Sequence, residues 1–216
     1  MILIATGMTQ EAKLMAGPGV TVIAGGGDAG RLERELEAAA GSATLILSSG
    51  LAGALDPAVK PGGLILDGPA ALVARLRSSF PKAQVGPILG SSVPLGTVAQ
   101  KAQAHRGGAI AVDMESHVAR AVAARHALPC LVARIISDGA NDTLPPAALA
   151  GMKPDGGIAI GAVLASLARH PGQLPALIRT GRDAATAFRA LGRLHHTLRG
   201  IALLRLDLRE FALDVG

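Results

Sequence analysis

The run Cys130-Leu131-Val132-Ala133-Arg134-Ile135-Ile136-Ser137-Asp138 decides the fold class of this chain. Its first seven residues form a short apolar stretch with polar residues after it, which is typical of a buried strand. Asp138 follows where this stretch ends. In the run Val112-Asp113-Met114-Glu115-Ser116, Glu115 likewise lies between a strand-like and a helix-like segment. Because acids at the ends of desolvated segments need a partner or a role, the two runs predict the polar mouth of a pocket.

Further apolar runs of the same kind alternate with helical patterns along the first two thirds of the chain. The predicted strands are Ile2–Thr6, Val20–Ala24, Thr44–Ser48, Leu64–Leu66, Ile110–Val112 and Cys130–Ile136. The predicted helices are Gln10–Met15, Ala29–Ala40, Ala70–Ser79, Thr97–His105 and Glu115–His126. This alternation predicts an α/β fold, a three-layer sandwich around a mostly parallel twisted sheet, with active groups at the carboxyl ends of the strands.

The pattern changes after Pro145-Pro146, and from Gly157 onward only helical periodicity is present. Leu174–Arg199 has the pattern of a basic amphipathic helix, and Ile201–Leu213 repeats its style. We therefore predict an α/β domain over residues 1–156 and a C-terminal helical extension over residues 157–216. Two interpretations of the extension stay open: its helices pack on the sheet or on a second subunit, or they face a membrane.

Composition narrows the class of partner and the compartment. The chain has 216 residues, 50% of them hydrophobic, and a formal net charge of +5, but only three Phe and no Trp or Tyr. Nucleic acid is not expected, because single-strand binders combine basic grooves with stacking aromatics. The single Cys130 excludes an internal disulfide, and neither cysteine nor histidine has metal-ligand spacing. The sequence shows neither the pattern of a signal peptide nor a long apolar run. We therefore expect a cytoplasmic protein, with peripheral contact at the inner membrane as an alternative.

Two more positions could carry chemistry at the predicted strand ends. Glu11 lies in the first turn of the helix that follows the first strand. It could activate a water or bind a hydroxyl, or it could simply be a helix acid stabilised by the dipole. Ser49 and Gly50 leave the third predicted strand in a small-residue stretch, where backbone N–H groups could approach a ligand. Taken singly, Glu115 could also cap a helix and Asp138 could cap a turn.

Several stretches taken together resemble the nucleoside phosphorylase superfamily, in that family's order and at similar spacing. They are Gly7–Glu11, Ser49–Pro57, Val112–Ser116 and Ile136–Asp138. Within this superfamily the chain resembles the purine nucleoside phosphorylases and the methylthioadenosine nucleosidases. Three stretches of the tail, Leu144–Pro146, Lys153–Gly156 and Arg169–Pro175, resemble the hopanoid-associated phosphorylases of bacterial hopanoid lipid biosynthesis. This resemblance implies removal of adenine from adenosylhopane, no cofactor, and a homodimer or larger assembly.

The resemblance also implies a role for each matching residue. Glu11 would orient the attacking water, and Met114 with Glu115 would bind the ribose. Asp138 would protonate the purine at N7, supported by Ser137. A carboxyl that donates a proton at neutral pH needs a raised pKa, which an apolar wall would supply. The residues expected in that wall are Leu131, Ile135 and Ile136.

One segment departs from the family and bears on how the base is held. The family's base-stacking aromatic is missing from Gly90–Leu95, so adenine would rest on the aliphatic side chains of Val93 and Leu95. The stretch between Leu66 and Ala70 is also short for the family. Both departures favour an alternative of another class, a non-catalytic nucleoside-binding or scaffold protein of the same fold.

The attacking nucleophile could be water or inorganic phosphate. Phosphate needs cations or N–H donors at the Gly-rich stretches. No Arg or Lys stands in residues 5–7 or 44–50, and Glu11 would repel a phosphate dianion. The sequence therefore predicts water as the nucleophile. Phosphorolysis, with inorganic phosphate as the co-substrate, is the alternative.

Overall fold

The computed structural model describes residues 1–150 and 159–200 of the chain. Strands and helices alternate through most of this part. The strands are β1 (Ile2–Thr6), β2 (Val20–Ala24), β3 (Leu45–Ala54), β4 (Leu64–Asp67), β5 (Gln84–Val85), β6 (Ile88–Gly90), β7 (Ala111–Asp113) and β8 (Cys130–Asp138). The helices are α1 (Thr9–Met15), α2 (Ala29–Ala40), α3 (Ala70–Ser79), α4 (Val98–Arg106), α5 (Ser116–Arg125), α6 (Pro146–Ala150), α7 (Ile160–Arg169) and α8 (Leu174–Gly200).

All eight strands belong to one sheet, and most of its pairings are parallel. The main path runs β2-β1-β3-β8-β4-β5, and β7 joins it by pairing with β3 and with β6. Two pairings are antiparallel, β4 with β8 and β7 with β3. The predicted mostly parallel sheet is confirmed. The two antiparallel pairings were not predicted, because the apolar pattern within a strand does not encode the direction of its neighbour.

Apolar clusters cover both faces of the sheet and make the predicted three layers. On one face, Leu47 of β3 and Leu131 of β8 pack with Leu191 and Leu194 of α8. On the other face, a second cluster joins β1 and β3 to α2 and α5 through Leu3, Ile46, Leu32, Leu36, Val118 and Val122. Because strand side chains alternate between faces, the central strands β1 and β3 contribute to both cores.

The long helix α8 packs on the sheet. Its buried face, formed by Ala187, Ala190, Leu191, Leu194 and Leu198, belongs to the same core cluster as β1, β3 and β8. Its arginines at 179, 182, 189, 193 and 199 are exposed. The predicted helix Ile201–Leu213 and the boundary between residues 156 and 157 lie outside the described residues. Within residues 1–150 and 159–200, no helix is both long enough and apolar enough to span a membrane.

The strand β3 is longer than its sequence suggests. Its predicted end was Ser48, but the ladder with β8 continues from Ile46 to Gly53, and β7 pairs with Gly53 and Ala54. The prediction that Ser49 and Gly50 leave the strand is therefore wrong. Their small side chains are typical of a loop, but the ladder with β8 pairs Ser49 with Ala133 and Gly50 with Arg134 and keeps this stretch extended. The short strands β5 and β6 were not predicted, because two or three residues show no periodicity.

Candidate active site

Glu11 lies at the carboxyl end of β1, and both of its oxygens accept hydrogen bonds. Oε2 accepts from the Thr6 hydroxyl at 2.6 Å and from the Gly7 and Met8 backbone N–H groups, each at 2.9 Å. Oε1 accepts from the backbone N–H of Leu51 on β3 at 2.8 Å. The bonds to Oε2 fit the capping of α1, but the bond across to β3 does not serve that helix. Glu11 therefore does more than cap α1.

Arg134 brings a buried cation to the same place. Its side chain is fully buried, and Nη2 donates to the Ser48 hydroxyl at 2.7 Å and lies 2.5 Å from Oδ2 of Asp113. Nη1 lies 3.2 Å from Oε2 of Glu115. Burial works to lower the pKa of Arg134, but the carboxylates of Asp113, Glu115 and Glu11 outweigh it and raise the pKa. The Gly-rich stretches contain no cation, as the sequence shows, but Arg134 of β8 brings one to the site from outside them, and this was not predicted.

Asp113 is the residue that fixes this guanidinium. Besides its contact with Arg134, its Oδ1 accepts a 2.5 Å hydrogen bond from the Ser116 hydroxyl, and its carboxylate accepts from the Ser116 backbone N–H. These bonds cap α5. Because Asp113 makes this cap, the Glu115 side chain is not used for it.

The Glu115 carboxyl instead faces the pocket beside Glu11. Burial raises its pKa to about 7; Arg134 works against this rise, while Asp113 and Glu11 add to it. The neighbouring Met114 is half-buried, and its backbone also stabilises the charged form of Glu115. The raised pKa expected for a site carboxyl is therefore found at Glu115, on the predicted sugar side.

Two glycines make room for these charged groups. A Cβ placed on Gly7 would lie 2.6 Å from Oε1 of Glu115 and 3.4 Å from Oε2 of Glu11. A Cβ on Gly50 would lie 2.7 Å from Nη1 of Arg134 and 2.9 Å from both oxygens of Glu11. Gly50 also has a φ of +153°, which side-chain-bearing residues rarely adopt. Gly50 is thus needed for the approach of Glu11 to Arg134.

Asp138, at the end of β8, lies in a second polar group. The register passes from Ala52↔Ile136 to Gly53↔Asp138, so Ser137 occupies a β-bulge. The Ser137 hydroxyl donates a hydrogen bond to Oδ1 of Asp138 at 2.8 Å. The Ala52 carbonyl oxygen lies 3.2 Å from the same hydroxyl. The turn that follows is capped by the Asp142 carboxylate, which accepts from the Gly139 N–H at 3.0 Å, and not by Asp138.

Lys101 is the partner of Asp138 that the sequence analysis missed. Its Nζ lies 2.5 Å from Oδ2 of Asp138, and its side chain is fully buried. The apolar wall predicted around Asp138 is also misplaced. Leu131 and Ile135 belong to the core cluster under α8, and a cation contacts the carboxylate directly. A lone lysine on an otherwise polar helix gives no sequence signal of such burial.

Strand β3 connects the two groups. Gly50 lies against Arg134 and Glu11, and a Cβ on Gly53 would lie 3.1 Å from Oδ2 of Asp138. Three residues of an extended strand span about 10 Å, which is comparable to the length of a nucleoside. The carboxyl-terminal side of the sheet therefore carries two polar groups. The carboxylates of Glu11 and Glu115 lie near Gly50, and the Asp138–Lys101 pair lies near Gly53.

A model of the phosphorylase superfamily matches residues 68–176, just over half of the chain. The chain belongs to the phosphorylase superfamily. No curated protein sequence matches this superfamily member.

Solved structures are similar to this superfamily member over most of its length. They include a putative 5′-methylthioadenosine/S-adenosylhomocysteine nucleosidase from Borrelia burgdorferi bound to adenine, with a TM-score of 0.60 and 15% identity, covering 77% of this chain and 100% of that one. An S-adenosylhomocysteine nucleosidase from Streptococcus pyogenes with 5-methylthiotubericidin has a TM-score of 0.59 and 14% identity, covering 91% and 96%. Futalosine hydrolase of Helicobacter pylori has a TM-score of 0.53 and 18% identity, covering 78% and 97%. At these identities the likeness shows the fold.

The remaining predicted binding residues of this superfamily member are dispersed. Val93 is 60% exposed, whereas Leu95 packs against a small cluster of Leu55, Ala109 and Val112. Ser49 is buried without a hydrogen-bond partner among the described residues, and strand alternation directs it away from Arg134. Its neighbour Ser48 makes the contact with the guanidinium.

Two other features of this superfamily member lie outside the site. In the part of the chain that the structure describes, no three or more His, Cys, Asp or Glu residues are grouped so that they could hold a metal ion. An apolar cavity at the opposite ends of β1, β3 and β8 is lined by Ile2, Ile4, Leu45, Leu47, Leu131 and Leu198. Of the residues expected at the site, only Leu131 of the predicted apolar wall lines this cavity.

Proposed function

We propose that this protein cleaves the N-glycosidic bond of an adenosyl compound and releases adenine, with water as the nucleophile. The observation that carries the proposal is the arrangement of two polar groups along the carboxyl-terminal half of β3: Glu11, Glu115 and Arg134 near Gly50, and Asp138 beside Gly53. Cleavage of this bond develops positive charge on the ribose and negative charge on the base. Carboxylates on the sugar side and a proton source on the base side match that distribution.

Each residue has a defined role in this proposal. Glu11, held by four donors, accepts a proton from the water that attacks the ribose carbon. Glu115 accepts hydrogen bonds from the ribose hydroxyls, and Met114 packs on the sugar face. Asp138, oriented by Ser137, delivers a proton to the leaving purine. Arg134 orients the Glu115 carboxyl.

The charges of the site support water rather than phosphate. Arg134 is one cation among the carboxylates of Glu11, Asp113 and Glu115, and Asp113 lies 2.5 Å from it. An incoming phosphate dianion would meet an excess of negative charge, whereas a neutral water would not. Phosphorolysis remains the alternative, and it would require a further cation next to Glu11.

The similar structures support an adenine-type base in this proposal. The Borrelia burgdorferi protein is bound to adenine, and the Streptococcus pyogenes protein is in complex with 5-methylthiotubericidin. For the 5′ group, the tail resemblance favours adenosylhopane. In the same proposal the exposed Val93 takes the place of the aromatic, and Leu95 supports it from the small cluster of Leu55, Ala109 and Val112. We also propose a homodimer or larger assembly.

A lipid-linked substrate leads us to propose peripheral membrane contact through α7 and α8. Ile160 and Leu164 of α7 are 68% and 60% exposed, and Leu174 and Ile178 of α8 are 47% and 46% exposed. Arginines 169, 179 and 182 are exposed on the same two helices. Exposed aliphatic side chains flanked by arginines fit the surface of an anionic bilayer.

The catalytic proposal is tested by adenine release from adenosine, methylthioadenosine and adenosylhopane, followed by chromatography. Glu11→Gln and Asp138→Asn should each lower kcat by about 10²- to 10⁴-fold, measured at a temperature at which the circular dichroism spectrum of each variant still matches that of the wild type. Glu35→Gln, in the exposed Arg31–Glu35 pair, is the control and should leave kcat unchanged. If the wild-type protein binds adenine but turns over none of the three substrates, the result favours the alternative of a non-catalytic binding protein.

The membrane proposal is tested by vesicle sedimentation with the full chain. Truncation is unsuitable, because α8 contributes Leu191 and Leu194 to the core. A Leu164→Ser/Ile178→Ser variant should lose binding to vesicles that contain phosphatidylglycerol, and Val85→Ser, 50% exposed on β5, should not. Failure of the wild-type protein to sediment with these vesicles would contradict the proposal.

A further inference from the structure

Lys101 is a fully buried lysine whose three ammonium donors all point to the end of β8. Nζ donates to Oδ2 of Asp138 at 2.5 Å, to the Gly139 carbonyl at 2.8 Å and to the Asp142 carbonyl at 2.9 Å. Lysine is rarely buried unless it is paired. Lys101 is also the one buried residue of α4, so core packing of this helix does not explain it.

Both oxygens of the Asp138 carboxyl accept hydrogen bonds in this arrangement. Oδ2 accepts from the Lys101 ammonium, and Oδ1 accepts from the Ser137 hydroxyl. A carboxylate that only accepts has no proton to give to a leaving base. The proposed reaction therefore needs a proton source next to Asp138.

We infer that Lys101 supplies the proton that Asp138 delivers to the leaving purine. This inference rests on the proposed function. Lys101 reaches the base only through Asp138, so it is a positioning residue whose proton passes along a buried pair. No other cation of the described residues lies within ion-pair distance of this carboxylate.

In this step a proton moves from Lys101 through Asp138 to the purine. The N–H bond of Lys101 that faces Asp138 breaks, and its proton goes to Oδ2. The Asp138 carboxyl passes a proton to N7 of the purine while the C1′–N9 bond breaks and its electron pair moves onto the base. Lys101 is left as a neutral amine and takes a proton back from water after the adenine leaves.

The two carbonyls around Lys101 make this transfer feasible without an unsatisfied group. A neutral amine keeps two N–H donors, which match the carbonyl oxygens of Gly139 and Asp142. Its lone pair then faces Asp138. Before the proton moves to the purine, both states of the pair, ammonium with carboxylate and amine with carboxyl, are thus fully hydrogen-bonded, which a buried polar network requires.

The other groups facing Asp138 leave Lys101 as its proton partner. From β3, Gly53 faces the carboxylate with no side chain. From α8, Asp183 interacts with Asp142 and Asp138 as a like charge. Burial, then Asp142 and least Asp138 raise the pKa of Asp183, and Arg179 works against this rise. Arg179, also on α8, lies 3.5 Å from Oδ1 of Asp142 and pairs with that residue.

Two variants of Lys101 separate proton supply from charge neutralisation. Lys101→Arg keeps a cation that does not release a proton, so kcat on adenosine should fall about 10²-fold or more across the pH range. Lys101→Met leaves Asp138 to hold the proton alone. Its turnover should be largest at acid pH and decline as the pH rises, because a carboxyl releases its proton at lower pH than an ammonium does.

A second substrate controls for damage to the pocket. The leaving group of p-nitrophenyl ribofuranoside departs as a stable anion and needs no proton. Lys101→Arg should therefore cleave it within about threefold of the wild-type rate. The wild-type enzyme offers a test that does not depend on the folding of a variant. Its kcat/KM on adenosine should decline only at alkaline pH, where an ammonium releases its proton, and its kcat/KM on the p-nitrophenyl substrate should show no such decline.

Three outcomes overturn the inference. They are wild-type-like kcat of Lys101→Arg on adenosine, equal loss on both substrates, and a wild-type alkaline decline on adenosine that starts near neutral pH. Failure of the proposed function is distinguishable from these, since the wild-type enzyme would then release no adenine at any pH.

Discussion

Nη2 of Arg134 lies 2.5 Å from Oδ2 of Asp113, and neither side chain reaches solvent. Through this contact β7 and β8, which do not pair with each other, are joined across β3. The same guanidinium donates to Ser48 of β3 and lies beside Glu115. Arg134 therefore connects the elements that carry the sugar-side carboxylates.

Breaking the Arg134–Asp113 pair should destabilise the protein strongly. Asp113→Asn leaves a buried guanidinium short of a counter-charge, and Arg134→Met leaves a buried carboxylate unpaired. Each is expected to lower the free energy of unfolding by about 3–5 kcal/mol, measured by urea denaturation. Arg31→Gln, which breaks the exposed Arg31–Glu35 pair, is the control and should change the curve little. Similar small effects for all three variants would refute a structural role of the buried pair.

Glu115 should make stability depend on pH. Burial raises its pKa from 4.5 to about 7, so between these values the native state holds a proton that the unfolded state has released. Its contribution is present below about pH 4.5 and is lost as the pH rises through 7. The free energy of unfolding of the wild type minus that of Glu115→Gln should therefore fall by about 3 kcal/mol over this window. A flat difference, or one that rises with pH, would contradict the assignment.

Neighbouring serines on β3 should differ in their effects. Ser48 accepts a 2.7 Å hydrogen bond from Arg134, while Ser49 faces the other side of the strand. Ser48→Ala is expected to lower kcat/KM about tenfold, because it loosens the guanidinium next to Glu115. Ser49→Ala is its matched control and should leave kcat/KM within about twofold. The reverse order would show that Ser49, as the sequence suggested, contacts the substrate.

Gly50→Ala should remove activity through the backbone and through crowding. The new methyl group would lie 2.7 Å from Arg134 and 2.9 Å from Glu11, at a φ of +153°. We expect at least a tenfold loss of kcat and a lower melting temperature. Gly41→Ala is the control, because Gly41 has a φ of −60° and open space around it. Retention of full activity by Gly50→Ala would show that Glu11 and Arg134 need not approach each other here.

The sequence predicted the layers well because apolar periodicity reports burial directly. The helices Ala29–Ala40 and Ala70–Ser79 have the predicted bounds. Pairing direction and the length of β3 depend on neighbouring strands, so they were not accessible from the local pattern. Two antiparallel pairings and the continuation of β3 to Ala54 followed only from the structure.

The buried charged side chains of the site were harder to predict from the sequence. Arg134 stands alone in an otherwise apolar run, and that isolation was an available signal of a buried ion pair. Strand alternation could also have separated Leu131 and Ile135 from the Arg134 face. Lys101 carried no such signal, because its helix is polar on most sides and its partner lies 37 positions away.

Adenine release from adenosine, with and without inorganic phosphate, tests the central claim most directly. The account predicts equal rates in both buffers, with one free ribose formed per adenine, and loss of both products in Glu11→Gln. Release that requires phosphate and yields ribose 1-phosphate would contradict water as the nucleophile. Absence of adenine in both buffers, also with methylthioadenosine and adenosylhopane, would contradict the proposed cleavage itself.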